Sequence, residues 1–265
     1  LFFAGNNREV ETEGADRMNI ILPSLQDELI KKIAEVNPRI VTVVVTGAPV
    51  NLTTAEACSP AMLVSWFNGS EGGNALADVL LGNVVPSGKL PFTFPVKLDD
   101  SPAYALKTYP NFDKAPYTED IYVGYRWFEA QNIEPLYPFG HGLSYTTFGY
   151  ASMETGKEIY DAGDVIKVMF QLENTGNVAA EEVVQLYVHR PDSKVEWPEK
   201  ELKAFKRVSL APGESTKVTL EVPEETLRYW NETTDEWVSD PGQIELLLGT
   251  SSRDIKLRKT ISIRS

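Results

Sequence analysis

The chain has 265 residues, of which 42% are hydrophobic and 10% aromatic, and its formal net charge is −13. That composition is globular rather than disordered, and the length suits two ordinary domains. The acidic balance argues against nucleic acid or an anionic membrane surface as partner, because both are bound through clustered Lys and Arg; a neutral partner such as a sugar is compatible with it.

Cys58 is the sole cysteine, and His141 and His189 are the only histidines. An intrachain disulfide, a Cys- or His-based metal site and a Ser-His-Asp triad are therefore not expected, and no metal or cofactor is predicted. No apolar run reaches the length of a membrane span. The first residues, Leu1-Phe2-Phe3-Ala4-Gly5, lack the features of a leader and read as the tail of a strand whose parent domain lies upstream.

From Leu1 to about Phe94, strand-like and helix-like segments alternate. Ser24 is a candidate helix cap, followed by Leu25, Leu29, Ile30, Ile33 and Ala34 at helical spacing, with Asn37-Pro38 as the stop. Ile40 to Val45 is an unbroken apolar and β-branched run that fits a strand of a parallel sheet covered on both faces. Ala61 to Phe67 predicts a second buried strand. Glu71 to Leu81 predicts a helix closed by Gly82, with Ala75, Leu76, Val79 and Leu80 on one face. This order argues for an α/β sheet with covering helices.

Residues 95–147 are rich in Pro, Tyr and Phe and have no clear period; they are predicted to link two domains. From about Phe148 the pattern becomes one of short alternating segments: Val165–Leu172, Glu182–Val188, Ser215–Val222, Gln243–Leu248 and Lys256–Ile263. Turn clusters at Asn174–Asn177, Ala211–Gly213 and Asp240–Gly242 separate several of them. That is the signature of a β-sandwich.

The chemistry concentrates in Asn6 to Arg17, a loop after a strand end that holds four carboxylates, two arginines and two amides. In open α/β sheets, ligands bind beyond the carboxyl ends of the strands. Planar amide, guanidinium and carboxylate groups suit sugar hydroxyls, and crowding raises a carboxylate's pKa, as a general acid requires. From residue types alone, a solvated charged loop with a Glu–Arg or Asp16–Arg17 surface pair is the commoner outcome. Gly69 and Gly72-Gly73 before a helix could cradle phosphate, but no Lys-Ser/Thr follows, so a structural turn is expected. Trp66 could stack on a sugar but sits in a buried-strand pattern and is expected in the core. His141 and His189 read as structural.

The residues Glu11-Thr12-Glu13-Gly14-Ala15-Asp16-Arg17, continued to Leu22-Pro23, resemble the E-x-E-G-x-D-R-x-x-x-x-L-P segment of family 3 glycoside hydrolases. Val43 to Pro49 (VVVTGAP), Trp66 to Ala75 (WFNGSEGGNA) and Gly82 to Pro91 (GNVVPSGKLP) are similar to further segments of that family. So are Ile121 to Arg126 and Pro138 to Phe148. These segments fall in the family's order and span essentially the whole chain. Asn68 stands where the family usually has Pro, and Asp120 where Gly is common.

The resemblance implies the second half of the family's C-terminal α/β sandwich domain (1–94), a linker (95–147) and an all-β fibronectin type III-like sandwich (148–265). It implies a retaining β-glucosidase acting on terminal β-glucosyl residues of a β-glucoside or oligosaccharide. The nucleophilic Asp would lie in an upstream (β/α)8 barrel and the acid/base in this chain. Glu11, the first Glu of E-x-E-G, is the expected acid/base, with Glu13 as runner-up. Asn7 and Arg8 are the expected substrate contacts, and Asp16 and Arg17 are expected to support the loop through a charge-assisted pair and bonds to nearby backbone. A β-xylosidase of the same architecture and a non-catalytic carbohydrate-binding or spacer module stand as alternatives.

Overall fold

The β-branched run becomes the middle strand of a three-stranded, all-parallel sheet in the computed structural model, which describes residues 1–110 and 113–264. In chain order the elements are β1 (Phe2–Gly5), α1 (Gln26–Val36), β2 (Val41–Val45), α2 (Thr53–Cys58), β3 (Ala61–Val64) and α3 (Gly72–Leu81). The strand order is β1-β2-β3. Thr42, Val43 and Val44 are fully buried, as expected of a central strand covered on both faces.

Two sequence expectations are corrected here. Ser24 does not cap α1. Ser24 and Leu25 both adopt positive φ in the turn after Pro23, and Leu25, which occupies the cap position, makes no side-chain cap bond. The helix start is instead complemented by Asp27 and Glu28 in its first turn, where carboxylates favour the positive end of the helix dipole. The second predicted strand, β3, stops at Val64 rather than Phe67 and contains no buried residue. Ser65 N still donates to Val44 O at 2.9 Å, but Trp66 then takes φ 58°, and the chain turns off the ladder.

The outer edge of β1 is closed at its end by one side chain. Gly5 N donates to Gln26 Oε1 (2.7 Å) and Gln26 Nε2 donates to Gly5 O (2.9 Å), so the amide takes the place of a neighbouring strand.

The described chain divides into two compact units: residues 1–84, 92–120 and 131–137 form the first, and residues 85–91, 121–130 and 138 onward form the second. The stretch read as a linker is thus shared between them. In the first unit it adds the short helix α4 (Pro102–Ala105) and Tyr137, which meets Phe94 edge-on at 6.5 Å between centroids. Trp66 packs edge-on to Phe92 (5.3 Å between centroids), and Phe92 stacks on the fully buried Phe94 (5.4 Å).

The second unit contains α5 (Tyr125–Ala130) and β4 (Phe148–Thr155), β5 (Ile159–Tyr160), β6 (Val165–Asn174), β7 (Ala180–His189), β8 (Glu201–Leu210), β9 (Ser215–Pro223), β10 (Tyr229–Asn231), β11 (Glu236–Val238), β12 (Gly242–Gly249) and β13 (Ile255–Ile263). A sheet of order β4-β6-β9 faces one of order β5-β13-β12-β7-β8, and β10-β11 form a separate hairpin. The inward residues of the alternating segments, among them Ile166, Val168, Phe170, Leu172, Val184, Leu186, Val188 and Leu246, make one core. The result is an α/β unit followed by an all-β sandwich, as the sequence pattern predicts.

The other face of the five-stranded sheet is covered too. Tyr187 is fully buried there; Tyr125 meets it edge-on at 6.0 Å and stacks on Phe139 at 4.7 Å. Gln185 Nε2 donates to Gly140 O (3.1 Å) and accepts at Oε1 from the Tyr187 hydroxyl (2.6 Å). Lys89 pairs with Glu182 (3.0 Å) and Arg126 with Glu201 (2.7 Å). Among the described residues no helix is long and apolar enough to cross a membrane.

Candidate active site

Three parallel strands end side by side, so the segments that follow them share one end of the sheet. After β1 comes the loop of Asn6 to Arg17, after β2 come Thr46 and Gly47, and after β3 come Trp66 and Phe67. Alternating parallel order alone puts these segments together, which is why such ends make sites.

Glu11 is the carboxylate that this geometry gathers in. Its backbone N donates to Asn7 O at 2.9 Å, which turns the loop back toward the strand ends. Its Oε2 accepts from Asn6 Nδ2 at 2.8 Å, and the Thr46 hydroxyl lies 3.2 Å away. Its Oε1 sits over Gly47, where an added Cβ would come within 2.6 Å of it and 3.0 Å of the Phe67 ring. Only glycine leaves room for a carboxylate and an aromatic ring above the same backbone position. The half-buried Arg17 lies within electrostatic reach of Glu11; burial pulls the guanidinium below its ordinary pKa, and the Glu11 charge opposes that shift.

The other predicted residues are placed differently. Thr12 and Ala15 pair across a turn whose tip is Glu13-Gly14, with Gly14 at φ 79°, a position that favours glycine. Glu13 is therefore exposed on the tip and makes no hydrogen bond or ion pair among the described residues. Asn7 spends Oδ1 on the loop itself, accepting from Glu9 N (3.0 Å) and Val10 N (3.2 Å). Arg8 and Glu9 are exposed.

The expected Asp16–Arg17 pair is not formed. Each side chain has another neighbour. Asp16 lies beside the Tyr109 hydroxyl, and its interaction with that hydroxyl, with burial and the Asp16 charge, pushes Tyr109 up to about 12. Arg17 Nη1 reaches Pro49 O at 3.3 Å, while its Nε and Nη2 are buried without a hydrogen-bond partner among the described residues.

Asn6, Thr46, Gly47, Phe67 and Tyr109 all shape the site, and none was assigned a role from sequence. A signal existed for Thr46-Gly47, which directly follows the β-branched run and so marks a strand's carboxyl end. Trp66 is half-buried against Phe92 and Phe94, a packing role. Gly69 to Gly73 form the turn into α3, with Gly72 N donating to Gly69 O at 3.0 Å. Among the described residues no group of three His, Cys, Asp or Glu could hold a metal ion.

Comparison with known proteins bears on this site. Residues 1–145 match the Glycosyl hydrolase family 3 C-terminal domain, and residues 182–252 match a Fibronectin type III-like domain. Thermostable beta-glucosidase B of Acetivibrio thermocellus is 42% identical over 265 residues, covering 100% of this chain and 35% of that protein. The crystal structure of the GH3 beta-glucosidase of Bifidobacterium adolescentis superposes with a TM-score of 0.92 at 35% identity, covering 98% of this chain and 38% of that one. DesR, a beta-glucosidase from Streptomyces venezuelae crystallised in complex with D-glucose, superposes with a TM-score of 0.91 at 37% identity, covering 99% of this chain and 33% of that one. The chain thus spans about a third of the length of these proteins.

Proposed function

This chain belongs to glycosyl hydrolase family 3, corresponding to the C-terminal portion of its β-glucosidases, and from that premise we propose that it supplies Glu11 as the acid/base of a retaining β-glucosidase. The substrate is a β-glucoside or oligosaccharide with a terminal non-reducing β-D-glucosyl residue. A nucleophilic Asp comes from the (β/α)8 barrel of the same enzyme, outside this chain.

In the first step that Asp attacks the anomeric carbon, the glycosidic bond breaks, and protonated Glu11 gives its proton to the departing oxygen. In the second, Glu11 takes a proton from water as the water oxygen attacks the anomeric carbon and the Asp leaves. Such pairs of carboxyl groups stand about 5–5.5 Å apart. The observation that carries the reading is the placement of Glu11 at the shared strand ends, one oxygen tied to Asn6 and the other over Gly47 beside Phe67. Glu13, on an exposed tip, has no comparable setting. The choice of glucose rests on the relatives, which are named β-glucosidases.

The test uses the full-length enzyme. Glu11→Ala is expected to lower kcat/KM on an unactivated disaccharide by about 10²–10⁴-fold, the usual contribution of a general acid. It should change far less on a dinitrophenyl glucoside, whose leaving group departs without a proton. Azide should restore turnover by replacing base-assisted water. Glu13→Ala is expected to stay within several-fold of wild type. If Glu13→Ala gives the full pattern and Glu11→Ala does not, the role passes to Glu13.

A further inference from the structure

We propose that Asn6 is a positioning residue for the reaction: its amide ties down Oε2 of Glu11 and so leaves Oε1, over Gly47, as the oxygen that carries the transferred proton. The inference rests on the reading of Glu11 as acid/base.

Asn6 is only 6% exposed, and its backbone continues the sheet, with its N donating to Val45 O at 2.9 Å. Its side chain therefore has little freedom. The Thr46 hydroxyl has one proton, and its best acceptor is Ala48 O at 2.7 Å. Thr46 Oγ1 is then left to accept from Asn6, 3.2 Å away. The group that faces both Thr46 Oγ1 and Glu11 Oε2 must be a donor, which fixes the amide with Nδ2 toward them.

The hydroxyl oxygen of a protonated carboxyl accepts more weakly than its carbonyl oxygen, so the Asn6 N–H at Oε2 favours Oε2 as the unprotonated oxygen. When Glu11 is protonated, the proton consequently belongs on Oε1. Asn6 Oδ1 is meanwhile buried with no hydrogen-bond partner among the described residues. A buried orphan acceptor is costly, and one at a strand end beside a reactive carboxylate calls for a reason other than stability. Orientation of Glu11 by the Nδ2 side of the same amide supplies that reason.

The experiment measures kcat/KM of the full-length enzyme on two substrates, an unactivated disaccharide and a dinitrophenyl glucoside, for Asn6→Ala, Asn6→Asp, Gly47→Ala and Glu11→Ala. Loss of one hydrogen bond to a charged group predicts that Asn6→Ala falls on the order of 10- to 100-fold on the disaccharide and little on the activated substrate. Asn6→Asp keeps the shape and removes the donor, so it should show the same split. Gly47→Ala puts a methyl group where Oε1 lies and should show it as well. Equal losses on both substrates, or no loss in either Asn6 variant, overturn the proposal, because a merely structural residue does not distinguish leaving groups. If Asn6→Ala fails to fold, Asn6→Asp and Gly47→Ala decide in the same way. Glu11→Ala is the control on the parent reading: if it lacks the split, the acid/base assignment falls and this inference with it; if it shows the split and the Asn6 variants do not, the inference alone falls.

Discussion

The two units bury their apolar residues to very different extents. In the sandwich, β6 alternates strictly, with Ile166, Val168, Phe170 and Leu172 buried against the facing sheet, and even the outer side of the five-stranded sheet is sealed around Tyr187 and Gln185. In the parallel-sheet unit, β3 and α3 contain no buried residue. On α1 only Ile30 is buried, while Leu29 and Val36 stay exposed, as do Leu1, Phe3, Ile21 and Leu25. One unit holds its own core on both faces of a sheet. The other carries the loop of Asn6 to Arg17 on a sheet whose apolar surface this chain covers only in part, which fits the proposal that an upstream barrel and the rest of the α/β domain complete it.

The sharpest way to break that comparison is at the outer seal of the sandwich. Lys89 and Glu182 form an ion pair at 3.0 Å with both side chains nearly inaccessible, and Lys89 also donates to Gly142 O at 2.8 Å. Lys89→Met would leave a buried carboxylate unpaired, and the expected loss is about 3–5 kcal/mol of stability near neutral pH. Burial holds the Glu182 carboxyl above its ordinary value, with Lys89 opposing. A raised folded-state pKa means that the stability it contributes is complete below the ordinary glutamate value and declines as pH rises through the raised one. The defect in Lys89→Met should accordingly shrink on acidification, as Glu182 takes up a proton. Replacing both partners, Lys89→Met with Glu182→Leu, should recover most of the loss. Denaturant unfolding across pH measures all three. A single variant no worse than the double one would show that the outer face is not part of the closed structure.

A core truncation comes next in size. Leu186→Ala in the sandwich is expected to cost about 2–5 kcal/mol, since Leu186 is fully buried and a cavity remains. Leu80→Ala on α3 should cost less than about 1 kcal/mol, because its side chain is only partly covered within this chain and alanine is the better helix former. Both numbers come from chemical denaturation of the same chain. A Leu80 variant as damaging as the Leu186 one would mean that the parallel-sheet unit is more closed than its exposures indicate.

How much of this was legible in the sequence follows from the same contrast. Strands with one face on the core and one in water, such as β6 and β9, show clean alternation and were readable. Strand β8 was not, because it is an edge strand: Lys203, Lys206 and Arg207 break its pattern, and Phe205 is exposed, an arrangement that discourages further pairing. Helix α2 was missed because it has six residues and buries only Ala55, too little to set a period. At the site, Glu11 stood out through its motif, and its position at the strand ends follows from the alternating order. The roles of Asn6 and Tyr109 do not, since the Asn6–Thr46 bond and the approach of Tyr109 to Asp16 join residues far apart in the chain, which no local pattern encodes. The Asp16–Arg17 pair fails for the same reason: adjacency in sequence suggests contact, whereas Arg17 Nη1 reaches Pro49 O, 32 residues on.

The smallest expected effect tests whether the rim of the sandwich contributes as its core does. Asp164, in the turn between β5 and β6, accepts at Oδ2 from Lys157 Nζ (2.7 Å) and Asp161 N (2.8 Å). The Lys157 bond, followed by that from the Asp161 amide, holds the Asp164 carboxyl below its ordinary value of 3.8. A depressed folded-state pKa means that the contribution is present above the ordinary aspartate value and is lost as pH falls through the depressed one. Asp164→Asn keeps an acceptor for Asp161 N but gives up the charge facing Lys157. It should be slightly less stable than wild type near neutral pH, and the difference should close at the acid end of the range. Lys157 is exposed and Asp164 only partly covered, so the difference should also narrow as salt is added. Parallel acid titrations of the wild-type and Asp164→Asn chains at low and high ionic strength, followed by circular dichroism, measure this. A gap that widens on acidification, or that salt leaves untouched, would assign Asp164 to packing of the turn rather than to its charge.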